Sequence, residues 1–205
     1  MEDRKFEVLV KNFYTDLIEN KQQYLDLFSR LQIQIEGWFR GELMNYFEKQ
    51  KIPMSNKNRE VQLNDGTKEK ADLKIELNKE LYWIEIKHIL IGYQLKDSFS
   101  LGFYFSNGTY IHRDIEKLRN IGRSEEKQHG YSLAFISTNY SKEGPRESKI
   151  EKINTKDKLE NMFEDIKKDP THSDLLNSIL HTSCEYDNET HFGYILLGVK
   201  VNNDP

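Results

Sequence analysis

Apolar and polar residues alternate in two neighbouring segments near the middle of the chain. In segment 71–77 every second residue is apolar, and segment 81–87 repeats the alternation. This period of two is typical of half-buried β-strands, and residues 78–80 between the segments predict a tight turn. A third strand is predicted at 60–63, because Asp65-Gly66 after it is a hairpin signal. Together these segments predict an antiparallel meander.

Apolar residues recur at helical spacing before this meander. Residues 4–19 predict one helix that ends near Asn20, and residues 22–50 predict a second helical region that is broken near Gly37. Pro53 ends the second region, since a residue before proline disfavours helical geometry. We expect the first helix to pack on the core, with a dimer surface as the alternative.

The second half of the chain predicts helices and buried strands in turn. A helix with an apolar inner face is predicted at 111–122, and helices are also predicted at 159–166 and 175–180. Buried strands are predicted at 131–137 and 192–201. The expected fold class is therefore α/β, with a central mixed β-sheet flanked by helices.

Length, cysteine content and charge indicate the number of domains, the cellular compartment and the kinds of partner. At 205 residues we expect a single domain, 1–205, with N-terminal helices (1–50), a core (51–140) and C-terminal helices and a strand (141–205). The single cysteine allows no internal disulfide and fits a reducing cytoplasm. No apolar run approaches the ~20 residues of a membrane span, so no membrane partner is expected. The net charge of −4 does not indicate nucleic-acid binding, although a local basic cleft suffices for it.

Three charged residues of the meander can project toward one point: Asp72 on one strand, and Glu85 and Lys87 on the next. Two converging carboxylates suit a hard divalent cation. A lysine beside them can hold a water and offset negative charge, as metal-assisted phosphodiester hydrolysis requires. The alternative is a surface hairpin with solvated charges, because 31% of the residues are charged and outward charges are ordinary in antiparallel sheets.

A further carboxylate, Glu42, lies within an apolar helical stripe. The other members of this stripe are Ile35, Trp38, Phe39 and Tyr46. A carboxylate in such a position is costly unless it is paired or bound to a metal. We therefore expect Glu42 either to serve the same site as Asp72 and Glu85, or to pair with Arg40 or a lysine at the rim of the core.

The order of a helix glutamate, an aspartate and a Glu-x-Lys pair in a meander resembles the PD-(D/E)xK nuclease superfamily, which includes type II restriction endonucleases. The resemblance covers about residues 38–88 closely and the remainder only in element order. Ala71 stands where the proline of the family's name would be, and that proline is often missing. The resemblance implies a restriction-endonuclease-like core.

The resemblance also implies a cofactor and roles. Asp72 and Glu85 would hold Mg²⁺, with Mn²⁺ able to substitute, and the Ile86 carbonyl would be a third ligand. Lys87 would position the attacking water, and Glu42 would hold a second metal or orient bound water. The implied activity is a magnesium-dependent endodeoxyribonuclease of restriction-modification type that cuts double-stranded DNA as a homodimer. A repair, recombination or RNA-directed nuclease and an inert nucleic-acid-binding subunit are the alternatives.

Basic residues near the predicted site are candidates for contacts with nucleic acid. They are Lys57 and Arg59 before the meander, and Arg113, Arg119 and Arg123 on and after the helix that follows it. Lys117 of that helix is a candidate accessory residue, since the family places a helix beside the site. His88 lies on the opposite strand face from Lys87, and is expected to be a buried structural histidine rather than a metal ligand.

Overall fold

A computed structural model describes residues 4–31, 33–63, 68–91, 104–105, 108–138, 161, 164–165, 168, 179–186 and 191–201. Its elements, in chain order, are α1 (Arg4–Leu31), α2 (Glu36–Lys49), a 3₁₀ turn (Asn56–Asn58), β1 (Arg59–Gln62), β2 (Lys70–Leu77), β3 (Glu80–Ile91), α3 (Tyr110–Arg119), β4 (Gln128–Thr138), β5 (Ile179–Tyr186) and β6 (His191–Val199).

The strands form one six-stranded sheet in the order β1-β2-β3-β4-β6-β5. β3 and β4 are parallel, and the other neighbouring pairs are antiparallel. The predicted meander is therefore confirmed as β1, β2 and β3, and the central mixed sheet is confirmed as well. The predicted hairpin residues 65–66 lie outside the part of the chain that the structure describes.

Helices cover both faces of the sheet. α1 and α2 pack on one face through aromatic contacts, with ring centroids 5.2 Å apart for Phe13 and Phe39 and 4.8 Å apart for Phe39 and Phe135. α3 packs on the opposite face, where it buries Ile111, Ile115 and Leu118. The α/β class is thus confirmed, with the sheet between two helical layers.

The first helix is longer than predicted, because α1 continues through Asn20 to Leu31. Asn20 does not end it, since its Nδ2 donates to Asp16 Oδ1 at 2.9 Å along the same helix. Leu25 is fully buried, as is Leu17 eight residues earlier, so the apolar stripe continues. The chain leaves the helix just before α2 and not at Gly37, which lies in the first turn of α2. No described helix is long and apolar enough to cross a membrane.

The predicted helix at 175–180 is wrong where it can be compared. Ile179 and Leu180 lie in β5, which pairs antiparallel with β6. The segment continues into Thr182 and Tyr186, which favour strands, and the edge of β6 supplies backbone partners. Residues 175–178 and most of the helix predicted at 159–166 lie outside the described ranges.

Two turns depend on residues in the left-handed region. Lys51, with φ 64°, follows α2, and the Ile52 N–H donates to the Phe47 carbonyl at 2.9 Å, which completes a Schellman motif. Asn78 and Lys79, with φ of 55° and 67°, form the two-residue turn between β2 and β3. Positive φ at both positions is the type I′ geometry that suits twisted hairpins. The predicted turn at 78–80 is therefore confirmed.

Candidate active site

β2 and β3 diverge at one end of their hairpin. Their backbone pairing stops at Leu73 and Ile84, whereas β3 continues along β4 to Ile91. Beyond this point the Asp72 side chain takes the place of a backbone partner, because its Oδ2 accepts from the Ile86 N–H at 2.8 Å. The divergence therefore holds a carboxylate between the two strands.

The other oxygen of Asp72 is held by the second helix. Arg40 Nη1 of α2 lies 3.0 Å from Asp72 Oδ1, and the two side chains are 19% and 17% exposed. A charge-assisted hydrogen bond of this length orients the carboxylate as well as stabilising it. Asp72 is thus fixed by one donor from β3 and one from α2.

His88 fixes the start of α2. The Ile35 N–H donates to His88 Nδ1 at 3.3 Å, and His88 Nε2 lies 2.7 Å from Ser137 Oγ. Nδ1 therefore carries no proton, and Nε2–H donates to the hydroxyl. Burial lowers the pKa of His88 to about 4, so the ring is neutral. His88 is the buried structural histidine that its strand position predicted.

Glu85 lies on β3 next to the divergence and is only 2% exposed. Lys117 Nζ of α3 is 2.6 Å from its Oε1, and beyond this lysine the atom has no hydrogen-bond partner in the described part of the chain. Burial raises the pKa of Glu85 to about 8, with Asp114 and Asp72 adding to the rise and Lys117 opposing it. The charged form of Glu85 is therefore disfavoured mainly because the side chain is buried.

Lys87 and Asp114 form the second ion pair of the site, with 3.5 Å between Lys87 Nζ and Asp114 Oδ2. Burial opposes the charge of Lys87, but its pKa is still raised because Asp114, Glu36 and Asp72 surround it. Burial raises the pKa of Asp114 to about 6, against the two lysines. Glu85 and Lys87 of β3 thus face Asp114 and Lys117 of α3. Each acid contacts the lysine of the other element.

The structure brings together four of the predicted residues: Asp72, Glu85, Lys87 and Lys117. Glu42 is placed elsewhere, because its Oε1 lies 3.4 Å from Lys21 Nζ of α1. Two residues apart on a helix differ by about 200° in direction. Since Arg40 reaches Asp72, Glu42 is turned toward α1. Its partner is therefore a lysine at the rim of the core, as the alternative prediction stated.

Two carboxylates of the site, Asp114 and Glu36, were missed by the sequence analysis. Asp114 is 4% exposed and lies between Ile111, Ile115 and Leu118 in the apolar stripe of α3. The reasoning applied to Glu42, that a carboxylate in an apolar stripe needs a partner, would have identified it. Glu36 lies four residues before Arg40 and therefore on the same face of α2. This spacing was the sequence signal that could have placed Glu36 near the site.

The predicted nucleic-acid contacts separate into two groups. Lys57 is exposed in the 3₁₀ turn before β1, Arg59 is exposed at the start of the edge strand β1, and Arg123 is exposed beyond α3. Arg113 and Arg119 instead line an open groove of about 470 Å³, here named the α3 groove. Its lining residues are Glu69, Arg113, Glu116, Lys117, Arg119 and Asn120. Only the second group is joined to the site, through Lys117.

The donor set suits one hard divalent cation. No three Asp, Glu, His or Cys side chains among the described residues form a ready-made metal cluster. Mg²⁺ needs only one or two carboxylates, because it keeps several waters. Asp72 and Glu85 supply two. The Ile86 carbonyl points to the same strand edge as its N–H, and therefore toward Asp72. After burial, the like charges of Asp114 and Asp72 contribute to the raised pKa of Glu85, and a bound cation would offset that repulsion.

Comparisons with known proteins leave the family of this chain open. No protein-family model matches it, and neither curated proteins nor solved structures give a match. The chemistry of the site is therefore what indicates a function.

Proposed function

We propose that this protein is a magnesium-dependent endonuclease that hydrolyses phosphodiester bonds of double-stranded DNA, with a site of the PD-(D/E)xK kind. One observation carries the proposal: Asp72, Glu85 and Lys87 meet where β2 and β3 diverge, and Asp72 is fixed there by the Ile86 N–H. Two carboxylates and a lysine in one partly buried cleft are the groups that metal-assisted hydrolysis requires.

Each residue has a distinct task in this reaction. Asp72, Glu85 and the Ile86 carbonyl would hold Mg²⁺, which supplies Lewis-acid activation when bound. The Lys87 ammonium would hold the attacking water and oppose the negative charge that develops on the phosphate. Asp114, 3.5 Å from Lys87, keeps that ammonium charged and oriented. Arg40 keeps Asp72 aimed at the divergence.

The surrounding fold supports this proposal in its element order. A helix, a meander, a helix and a strand parallel to the last meander strand resemble the restriction-endonuclease-like core. Cutting both strands of a duplex takes two sites, so we propose that the protein acts as a homodimer. A cytoplasmic restriction-modification role is the setting that this proposal suggests.

A second candidate is a nucleic-acid-binding subunit that does not cut. The observation in its favour is that each metal-ligand carboxylate already has a basic partner, with Asp72 paired to Arg40 and Glu85 to Lys117. In this alternative Arg40 and Lys117 would neutralise the two carboxylates in place of a metal ion, and the α3 groove would still hold nucleic acid.

Cleavage of mixed plasmid DNA with Mg²⁺ separates the two candidates. We expect the wild type to cut, giving discrete bands for a restriction-type enzyme or a smear for non-specific cleavage. Asp72→Asn removes a charge at nearly constant volume and should abolish cutting. The matched control is Glu76→Gln, an exposed carboxylate of the same strand, which should cut normally. Wild-type cutting by Asp72→Asn would show that the metal-site assignment is wrong.

Two further conditions sharpen the same assay. Ca²⁺ in place of Mg²⁺ should support DNA binding without cutting, because it accepts looser geometry and activates water less well. Robust cutting in Ca²⁺ alone would contradict this. Substitution of RNA for DNA tests the RNA-directed alternative, which RNA cleavage at a higher rate than DNA cleavage would support.

A further inference from the structure

The α3 groove lies directly beside the proposed reaction centre. Four of its six lining residues come from the exposed side of α3, and Glu69 comes from the segment just before β2. The two parts are held together by backbone hydrogen bonds, since the Gly122 N–H donates to the Leu63 carbonyl at 2.9 Å and the Leu63 N–H to the Glu69 carbonyl at 3.1 Å. The groove is thus built from two tethered elements.

The charges of this groove favour an anionic ligand. Arg113 and Arg119 make no ion pair with any other residue that the structure describes. Two acids, Glu69 and Glu116, line the same groove, and the contact of Glu116 Oε2 with His112 Nδ1, at 3.7 Å, is an ion pair only when the histidine is protonated. Two guanidinium groups without an ion-pair partner among the described residues therefore line one groove, in a chain whose net charge is −4. Planar guanidinium groups suit phosphate oxygens, which they bind in a bidentate manner.

Lys117 connects the groove to the reaction centre. It lines the groove, and its Nζ is 2.6 Å from Glu85 Oε1. Arg113 and Asn120 are seven residues apart, which is about 10 Å along a helix axis. That length matches about three base-pair steps measured along the duplex axis, at about 3.4 Å of axial rise each. A backbone that followed the groove would therefore pass Glu85.

We infer that the α3 groove binds the phosphodiester backbone of duplex DNA next to the bond that is cut, with Arg113 and Arg119 as its phosphate contacts. The inference rests on the proposed function in placing the reacting bond at Glu85 and Lys87. The groove makes contacts with phosphates rather than with base edges, so it contributes affinity and register along the duplex but not sequence preference.

The test measures binding of a short fluorescent duplex to the full chain by anisotropy over a salt series, with Ca²⁺ present. Arg113→Ala/Arg119→Ala should lower the magnitude of the slope of log K against log salt by about two and weaken binding roughly 10- to 100-fold at low salt. Arg113→Lys/Arg119→Lys should retain most of the slope, because the charge remains.

A control variant removes the same charge elsewhere. Lys11→Ala/Lys49→Ala takes two exposed lysines from α1 and α2, which lie on the opposite face of the sheet. We expect its affinity and slope to equal those of the wild type. If the double arginine variant does not fold, Arg113→Ala alone should lower the slope by about one.

The possible results separate this inference from the proposed function. If the arginine variant binds as the lysine control does, the groove is not a backbone site, although cutting by the wild type would still support a nuclease. If the wild type never cuts but the arginine variant loses duplex binding, the nuclease proposal fails and the groove remains. If only duplex RNA shows the arginine dependence, the assignment to DNA is overturned.

Discussion

The two ends of the β2–β3 hairpin each hold a glutamate of β3, and the two glutamates differ in their surroundings. At the turn end, Glu80 Oε2 accepts from Tyr82 Oη at 3.1 Å and lies 2.9 Å from His129 Nε2. Lys127 Nζ adds a contact at 3.4 Å from Oε1. Burial opposes its charge, but these donors together keep the pKa of Glu80 below its usual value.

Glu85, at the diverging end, has the opposite balance. Among the residues that the structure describes, it has one close basic partner, Lys117, and two carboxylates in its neighbourhood, Asp114 and Asp72. Burial raises its pKa first, and these like charges raise it further, to about 8. The contrast teaches that burial first, and then the number of donors and the sign of the neighbouring charges, decides which glutamate is stabilised as a charge. A carboxylate kept in unfavourable surroundings is the one to examine for function.

The largest expected effect is on the rate of DNA cleavage, and it distinguishes Lys87 at the diverging end of the hairpin from Lys127 at the turn end. Lys87→Ala should reduce single-turnover cleavage by about 10²–10³, because it removes the cation that opposes charge on the phosphate. Duplex binding should remain, since one cation among many contacts is lost. The matched control is Lys127→Ala, which removes the lysine beside Glu80 and should cut normally.

This comparison fails if Lys87→Ala cuts as fast as Lys127→Ala, because Lys87 would then be only a structural partner of Asp114. Metal-dependent DNA affinity must be measured on the same preparations. Loss of both cleavage and metal dependence would indicate damage to the carboxylates rather than a role of the lysine.

The next effect concerns stability against pH. The folded-state pKa of Glu85 lies above its unfolded value, so folding takes up a proton between about pH 4.5 and about 8. The free energy of unfolding therefore falls as pH rises through this window, by up to about 1.4 kcal/mol per pH unit from this group. Urea unfolding of Glu85→Gln should show a flatter pH dependence and higher stability than the wild type near pH 8.

Glu80→Gln should act in the opposite direction. The pKa of Glu80 is lowered in the folded protein, so its contribution to stability is present above the unfolded pKa and is lost as pH falls through the folded pKa. At neutral pH this variant should be less stable than the wild type. A gain in stability from Glu80→Gln, or a loss from Glu85→Gln near pH 8, would remove the contrast between the two ends.

The smallest effect concerns the turn itself. Lys79 has a φ of 67°, where a Cβ atom is strained and glycine is not. Lys79→Gly should raise the free energy of unfolding by roughly 0.5–1 kcal/mol after the entropy cost of glycine, without changing cleavage. Lys79→Ala keeps the Cβ atom and should give no such gain. Equal stability of the two variants in thermal unfolding would contradict this reasoning.

The meander was predictable because its strands alternate and its turn is short, and these local signals place Asp72, Glu85 and Lys87 on adjacent strands. The residues that contact Asp72, Glu85 and Lys87 were harder to predict from the sequence. Which side of α2 meets the sheet depends on the tether between Ile35 and His88, which joins residues 53 positions apart. The sequence therefore predicted Glu42 as the α2 residue beside Asp72, whereas Arg40 holds that position.

Asp114 and β5 show two other limits of the sequence analysis. The apolar stripe of α3 marks Asp114 as it marks Glu42, but only the contact with Lys87 shows that Asp114 belongs to the site. β5 has a short apolar start that also fits a helix, and its strand state is decided by backbone pairing with β6. In both cases the deciding contact is with a residue distant in sequence.

The hydrogen bond between the Ile86 N–H and Asp72 has a spectroscopic consequence. This amide is protected by a side-chain carboxylate, at 2.8 Å, rather than by a neighbouring strand. Its hydrogen-exchange rate and proton chemical shift therefore report the position of one carboxylate. In a nitrogen-labelled sample this single resonance would follow cation addition directly, while amides in the paired part of β3 served as internal references.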